Sequence, residues 1–291
     1  MAPRAKGVAC AVTAYVMWGL LPVYWKALQA LPASRIVGHR IVWSFVFLAG
    51  LVLARAEWKP LQASARGARV VGIYLLAAVI LSLNWFTYIW AVNSGRIIEA
   101  SLGYFINPLV NVLLGLMVLR ERLRPLQWLA VGLAGAAVVF LTVQHGSPPW
   151  VALVLAISFG FYGLVKKQAP LGALHGLTLE TALLVGPAFV YLARTPSGPA
   201  WDLPGPAWSS NALLAGTGVV TALPLLLFAH AARTTQLSTL GLLQYISPTC
   251  GLALGVCVYG EPFPLTRALG FLVIWIALLV YSLDALRQWR R

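Results

Sequence analysis

The chain carries one apolar, proline-containing segment twice, and the two copies are 140 residues apart. Residues 101–121 read SLGYFINPLVNVLLGLMVLRE, and residues 241–261 read GLLQYISPTCGLALGVCVYGE. The shared positions include Pro108 and Pro248, Gly115 and Gly255, and Glu121 and Glu261. A duplicated apolar helix interrupted by proline is typical of membrane proteins built from two repeats, whose ligand sites form where the repeats meet. We therefore expect two similar halves with a functional site between them.

The composition is that of a membrane protein. Of the 291 residues, 60% are hydrophobic and only 10% are charged, whereas a soluble domain of this size needs a far more charged surface. The net charge of +14 would suggest a nucleic-acid partner in a soluble protein. Here the basic residues lie in short loops between apolar runs, so we expect them to orient the chain in a lipid bilayer and expect no nucleic-acid partner.

The sequence gives no sign of a metal, a cofactor or an enzyme active site. The three cysteines lie in apolar runs without metal-binding spacing and are too few for a disulfide framework. The patterns Gly-x-Ser-x-Gly, His-Glu-x-x-His and Gly-x-x-x-x-Gly-Lys do not occur. We therefore expect no cofactor, no metal and no catalysis, and any transport would use a gradient rather than ATP.

Ten apolar runs are long enough to cross a bilayer, which takes about 20 residues in a helix. They lie at 7–28, 35–54, 70–92, 100–119, 127–143, 150–167, 174–193, 211–232, 238–259 and 266–284. The first run follows Arg4 and Lys6 and could alternatively be a cleaved signal peptide, with Ala30-Leu31-Pro32-Ala33 as the cleavage region. We favour a first membrane span, because the run is long and nine similar runs follow it.

The loop charges predict the orientation of these spans. Fifteen Lys and Arg residues fall on one side, here called the basic side, and five fall on the other. Those five are Lys26, Arg35, Arg96, Arg194 and Arg267. The positive-inside rule places the basic side and both termini in the cytoplasm. Five spans per half is an odd number, so the halves 1–145 and 146–291 are predicted to be inverted five-helix repeats of an all-α membrane protein.

The first copy of the repeated helix carries two amides that point to function. Asn107 and Asn111 are one helical turn apart and share a face. Amides in hydrocarbon need partners, so the pair suggests a wet or polar cavity. Pro108 and Pro248 each remove one backbone hydrogen bond, and we interpret them as kinks that could act as hinges. Glu121 is interpreted as a capping or interfacial residue.

Three ionisable residues lie inside predicted spans, where charge is costly and usually functional. Arg40 could bind an anionic substrate, pair with a carboxylate such as Glu99 or Glu180, or reach the membrane interface. His39 is a candidate proton carrier, because imidazole titrates near physiological pH, or it is an interfacial residue. Glu180 is a second candidate proton carrier, a substrate ligand or one member of a structural ion pair.

Aromatic and amide side chains complete the predicted binding site. Asn84 and Tyr88 share one face of the third span, and Tyr104 could add a ring. Gln244 and Tyr245 lie in the second copy of the repeated helix. The predicted substrate-binding residues are Arg40, Asn84, Tyr88, Tyr104, Asn107, Asn111, Glu180, Gln244 and Tyr245. Such a lining suits amphipathic organic or cationic solutes.

These observations favour a secondary active transporter of small organic solutes that works by alternating access, with protons as a candidate coupling ion. One alternative is an integral-membrane enzyme acting on a lipid-linked substrate, although the seven acidic residues are widely spaced. Another alternative is a passive channel or an exchanger without proton coupling.

The sequence also resembles a known family. Residues 90–115, WAVNSGRIIEASLGYFINPLVNVLLG, resemble the RarD-type branch of the EamA family in the drug/metabolite transporter superfamily. Residues 14–26, 39–45, 161–167 and 237–249 are similar to it as well. The resemblance implies ten transmembrane helices in two inverted halves, a bacterial inner membrane, and export of amino acids, metabolites or drugs. It carries over no catalytic residue.

Overall fold

A computed structural model describes residues 3–28, 31–93, 97–145, 150–195, 207–258 and 265–289. Within these ranges the chain is built from helices and contains no strand. The helices, numbered in chain order, are α1 (Pro3–Ala27), α2 (Ala33–Ala54), α3 (Trp58–Ser64), α4 (Ala68–Asn93), α5 (Ile97–Met117), α6 (Pro125–His145), α7 (Trp150–Gln168), α8 (Ala173–Arg194), α9 (Ala207–Thr234), α10 (Leu237–Leu243), α11 (Ile246–Cys257) and α12 (Leu265–Trp289).

Seven helices are long and apolar enough to cross a membrane, and they correspond to predicted spans 1, 2, 3, 5, 6, 7 and 8. Shorter apolar stretches, Gly103–Met117 in α5 and Ala268–Asp284 in α12, overlap predicted spans 4 and 10. Large apolar side chains such as Leu53, Phe189 and Trp208 are more than half exposed on the outer surface. An apolar exterior of this kind is what contact with lipid requires.

The predicted ninth span, 238–259, is not one continuous helix, and this part of the prediction is corrected. The helix stops at Leu243 and starts again at Ile246. Pro248 lacks the N–H that would bond the carbonyl of Gln244 four residues earlier, and that carbonyl accepts the Ser247 N–H instead, at 3.1 Å. The chain makes a tight turn at this point because the i−3 bond replaces the i−4 bond.

The equivalent proline in the first half has a different effect. Helix α5 continues through Pro108 without interruption. Helix α10 packs directly against α5 here, and a β-carbon on Gly241 would lie only 2.5 Å from the Pro108 carbonyl oxygen. The absence of a side chain at Gly241 therefore allows the two backbones to approach closely at the point where the halves of the chain meet.

Glu121 links the end of α5 to the start of α10. Its carboxylate accepts the backbone N–H groups of Leu237 and Ser238 at 2.7 and 3.0 Å and the Ser238 hydroxyl at 2.6 Å. A carboxylate at a helix N-terminus satisfies backbone donors that have no partner within the helix. Glu121 thus caps α10, and Glu261 lies outside the described residues.

The close approach of α5 and α10 leads to a stability prediction. Gly241→Ala should lower the stability by about 1–3 kcal/mol, because the new methyl group would overlap the Pro108 carbonyl and force the two helices apart. Gly132→Ala in α6 is the matched control, since its β-carbon would meet no atom within 4 Å. Thermal unfolding of the purified variants in detergent measures the difference, and equal melting temperatures for both would contradict this packing.

Candidate functional site

The predicted site residues fall into three groups in the structure. Arg40, Tyr88 and Tyr104 belong to an aromatic cluster near one end of α2 and α4. Amide side chains bridge α5, α7 and α10. Glu180 belongs to a separate ion pair between α7 and α8. The three groups differ in how completely the protein itself satisfies their hydrogen-bonding and charge requirements.

Arg40 lies between two indole rings, and we call Arg40, Trp25, Trp85 and Thr221 the arginine cage. The guanidinium carbon is 4.7 Å from the centre of the Trp25 ring and 4.4 Å from that of Trp85. Its Nε donates to the Thr221 hydroxyl at 3.1 Å. The cage therefore joins α1, α2 and α4 of the first half of the chain to α9 of the second half.

Two tyrosines lie beside the arginine cage. The rings of Tyr88 in α4 and Tyr104 in α5 meet edge to face, with centres 5.9 Å apart. Both tyrosines lie near the Arg40 guanidinium. Tyr104 is 40% exposed, so this side of the cluster borders space outside the packed core.

Among the side chains that the structure describes, the charge of Arg40 has no acidic neighbour. Arg40 is 9% exposed, and no carboxylate whose side chain the structure describes lies within salt-bridge distance of it. A desolvated cation–π contact contributes about 2 kcal/mol, and an arginine at mid-membrane costs roughly 2.5–3.5 kcal/mol on insertion scales. The two indole contacts are thus of the size needed to offset the burial of this cation.

The amide group forms a chain of hydrogen bonds across helices. Asn111 Nδ2 donates to Asn107 Oδ1 at 3.1 Å and to Gln244 Oε1 at 2.9 Å. Asn107 Nδ2 donates to the Ala156 carbonyl of α7 at 2.6 Å. Asn107 and Asn111 are 2% and 0% exposed. The sequence suggests a wet or polar cavity at this pair, whereas the structure places the amides in a packed helix interface in which Asn111 Oδ1 alone is buried without a partner among the described residues.

Asn84 and Tyr245 make similar interhelical contacts. Asn84 Nδ2 donates to the Leu155 carbonyl and to the Ser158 hydroxyl of α7, both at 2.9 Å. The Tyr245 hydroxyl donates to the Phe105 carbonyl at 3.1 Å, and these two residues are 140 positions apart in the chain. The predicted residues of this group thus hold α4, α5, α7 and α10 together.

Glu180 is fully paired, and its partner is Lys166 rather than Arg40. The Lys166 ammonium lies 2.6 Å from Glu180 Oε1, and the Tyr162 hydroxyl donates to Oε2 at 3.1 Å. The side chains of Lys166 and Glu180 are 3% and 1% exposed. The Lys166 ammonium also lies 5.4 Å from the centre of the Tyr74 ring. Of the alternatives for Glu180, the structure favours the ion pair.

The remaining predicted residues are placed as follows. His39 is half buried on α2, next to Arg40 in the chain. Pro108 lies within the unbroken α5, and Pro248 lies in the first turn of α11. No group of three or more His, Cys, Asp or Glu side chains in the described ranges could hold a metal ion.

Sequence reasoning did not identify Trp25, Thr221 or Lys166 as members of these clusters. Trp25 and Lys166 lie at the ends of α1 and α7, where aromatic and basic residues are common at membrane interfaces for other reasons. Thr221 is one of many hydroxyl residues in α9 and lies 181 positions from Arg40. An excess of indoles near an intramembrane arginine is the signal that could have identified Trp25.

Comparison with known proteins places this arrangement among transporters. The model of the EamA-like transporter family matches the chain twice, at residues 5–143 and 148–283. An uncharacterised transporter of Vibrio cholerae is 46% identical over 282 residues, covering 97% of this chain and 93% of the relative. Protein RarD of Escherichia coli K12 is 41% identical over 286 residues, covering 98% and 97%. One solved crystal structure superposes with a TM-score of 0.71 at 20% identity, covering 97% of this chain and 99% of the other.

The buried ion pair gives a second stability prediction. Lys166→Met or Glu180→Gln alone should cost about 3–5 kcal/mol, because each leaves one charge buried without its partner. The double variant should recover much of this loss, and a double-mutant cycle of melting temperatures in detergent measures the coupling. Arg124→Met is the control, since its pair with Asp284 has a 34% exposed arginine and should contribute about 1 kcal/mol or less. Single variants of the Lys166–Glu180 pair that match this control would contradict the prediction.

Proposed function

The chain belongs to the EamA-like transporter family, and we propose that it is a secondary active transporter of small organic solutes. In this proposal, transport occurs by alternating access between two inverted five-helix halves. The protein is an integral membrane protein of a transporter family. We place it in a bacterial inner membrane, with both termini in the cytoplasm, and propose that it acts as an exporter of amino acids, metabolites or drugs.

The helix boundaries support two equivalent halves, 1–145 and 146–291. Helix α2 and helix α8 have bounds that differ by 140 residues at both ends, 33–54 and 173–194. The same offset relates α5, 97–117, to the outer limits of α10 and α11, 237 and 257. When α10 and α11 are counted as one broken span and the seven-residue α3 is left out, the described helices amount to ten spans.

The packing of the helices supports the same symmetry. In this symmetry α1, α2, α4, α5 and α6 correspond in order to α7, α8, α9, α10–α11 and α12. The contact of α5 with α7 then has the contact of α1 with α11 as its counterpart, and both pairs pack closely. Contacts of α4 with α7 and of α1 with α9 form a second such pair. Helices α2 and α8, α5 and α10, and α6 and α12 each pack against their own counterpart. A two-fold axis between the halves accounts for all of these contacts.

The observation that carries the proposed function is the arginine cage, because it is a buried charged group formed by both halves. Arg40, Trp25 and Trp85 come from the first half, and Thr221 comes from the second. Relative motion of two halves that share such a cluster would change its access to either side of the membrane. We propose that solute binds beside Arg40, Tyr88 and Tyr104.

The other predicted residues take supporting roles in this proposal. Asn84, Asn107, Asn111, Gln244 and Tyr245 form the polar layer on which the halves meet. We propose that Pro108 and Pro248 serve as hinges and that His39 carries the coupling proton, since Glu180 is held in its ion pair with Lys166. An exchanger without proton coupling has the same architecture, and a pH gradient distinguishes the two. No structural observation favours the enzyme alternative.

The inverted arrangement predicts the accessibility of two matched positions. Pro32 and Gly172 are the N-caps of α2 and α8, are both exposed, and are 140 residues apart. In a variant whose native cysteines Cys10, Cys250 and Cys257 are replaced by serine, Pro32→Cys should react with a membrane-impermeant maleimide added to intact cells. Gly172→Cys should react only after the inner membrane is permeabilised, because it lies on the basic side. Labelling of both from the same side would contradict inverted halves.

Transport is tested with purified protein in liposomes. Twenty amino acids, a set of organic acids and chloramphenicol are first screened for a rise in melting temperature, since ligands that bind the folded state stabilise it. A radiolabelled ligand from this screen should then show saturable counterflow that Arg40→Ala and Asn107→Ala reduce and that the exposed variant Gln62→Ala does not. A pH gradient should drive accumulation if protons are coupled. Flux that rises linearly with concentration and is unaffected by solute on the opposite side would contradict a carrier.

A further inference from the structure

We infer that the solute of this transporter is an organic monoanion, a carboxylate attached to an aromatic or apolar body, and that Arg40 binds the carboxylate. This inference rests on the proposed function and specifies its substrate class. The evidence is the arginine cage. It holds the Arg40 guanidinium in place, and the N–H groups of the two terminal nitrogens have no hydrogen-bond partner among the described residues.

The guanidinium of Arg40 has donors to spare. Among the residues that the structure describes, its one hydrogen bond runs from Nε to Thr221 Oγ1. A guanidinium has five N–H donors, so the two terminal amino groups keep four. Arg40 is more than nine-tenths buried. Its two terminal nitrogens, which have no hydrogen-bond partner among the described residues, are nevertheless not fully enclosed. Each terminal nitrogen therefore keeps some exposed surface.

The cage fixes the orientation of those donors. Trp25 and Trp85 contact the guanidinium at 4.7 and 4.4 Å, and Thr221 holds Nε, so the planar group cannot turn freely. A fixed guanidinium edge matches the two oxygens of a carboxylate, which accept two parallel hydrogen bonds. A binding group that is already oriented loses little entropy when the ligand arrives.

The second half of the chain shows how this protein neutralises a charge permanently. Glu180 is 140 residues after Arg40, and each is the eighth residue of its helix, counted from Ala33 and Ala173. Glu180 is neutralised by Lys166 at 2.6 Å. The residue that corresponds to Lys166 in the first half is Trp25, at the offset of 141 that relates the ends of α1 and α7. At equivalent positions of the two halves, Arg40 therefore contacts the indole of Trp25, whereas Glu180 contacts the ammonium group of Lys166.

The walls of the cluster indicate what carries the carboxylate. The edge-to-face tyrosines, Tyr88 and Tyr104, lie next to the cage and offer ring surface rather than further charge. A single guanidinium balances one negative charge, so a monoanion fits better than a phosphate, which carries more than one charge at neutral pH. An aromatic or apolar body would lie against the tyrosine rings.

Equilibrium binding to the purified protein in detergent tests the inference. The probe is radiolabelled 3-phenylpropionate, and the competitors are indole-3-acetate, hexanoate, phenyl phosphate and the neutral isostere 3-phenylpropanamide. The carboxylates should compete, whereas the amide and the phosphate should compete at least tenfold more weakly. Arg40→Gln should weaken binding of the probe by about 10- to 100-fold, the range expected for charge-assisted hydrogen bonds.

Three variants test whether the effect belongs to the cage. Arg40→Lys should bind more weakly than wild type, because it keeps the charge but loses the planar pair of donors. Arg35→Gln removes another buried cation of α2, one that donates to the Thr195 carbonyl, and should stay within about threefold of wild type. Glu99→Gln should leave the affinity unchanged. A melting temperature measured for each variant shows that it is folded.

Several results would overturn the inference: equal binding of the amide and the acid, unchanged affinity in Arg40→Gln, or an equal loss in Arg35→Gln. A rise in affinity in Glu99→Gln would show that the chain supplies its own counter-charge, and binding of none of the three carboxylates would also overturn it. Saturable counterflow of a neutral solute that survives Arg40→Gln would reject the substrate class while leaving the proposed transporter intact. Loss of counterflow for every solute would reject the transporter itself.

Discussion

A lipid bilayer offers no hydrogen-bond partner, and this constraint accounts for the placement of most of the polar groups that the structure describes. The backbone is satisfied within helices, and polar side chains reach across to neighbouring helices, as Asn107 does to the Ala156 carbonyl. Loops use the same means: Lys167 donates to the Thr235 carbonyl at 2.5 Å. Where a buried polar group is left incompletely satisfied, as at Arg40, a functional explanation is needed.

The same proline has different consequences in the two halves because its surroundings differ. Pro108 leaves α5 continuous, whereas the chain turns four residues before Pro248, where Ser247 takes over the Gln244 carbonyl. The turn brings Gln244 to Asn111 and lets Gly241 contact the Pro108 backbone. One repeated motif therefore yields a continuous helix and a broken helix that pack against each other.

The sequence predicted most of the helices, because apolar runs and loop charges are local features. It also placed Arg40 and Glu180 among the functional candidates, since charge inside an apolar run stands out by itself. It did not predict the break at Gln244, because a proline alone does not say whether a helix kinks or stops. Nor did it predict which cation pairs with Glu180 or which rings surround Arg40, because those contacts join residues from different helices whose rotation about their axes the sequence does not fix.

The contrast between Arg40 and Glu180 bears on how a carrier works. A charge paired within the protein, such as Glu180 with Lys166, needs no further partner and holds its two helices together. A charge stabilised by indole rings is tolerated when the site is empty, yet it still gains from an arriving anion. Cation–π contacts are weaker than an ion pair. An arriving anion therefore has no counter-ion to displace from Arg40 when it binds. A site that must bind and release repeatedly is better served by this partial compensation than by a permanent counter-ion.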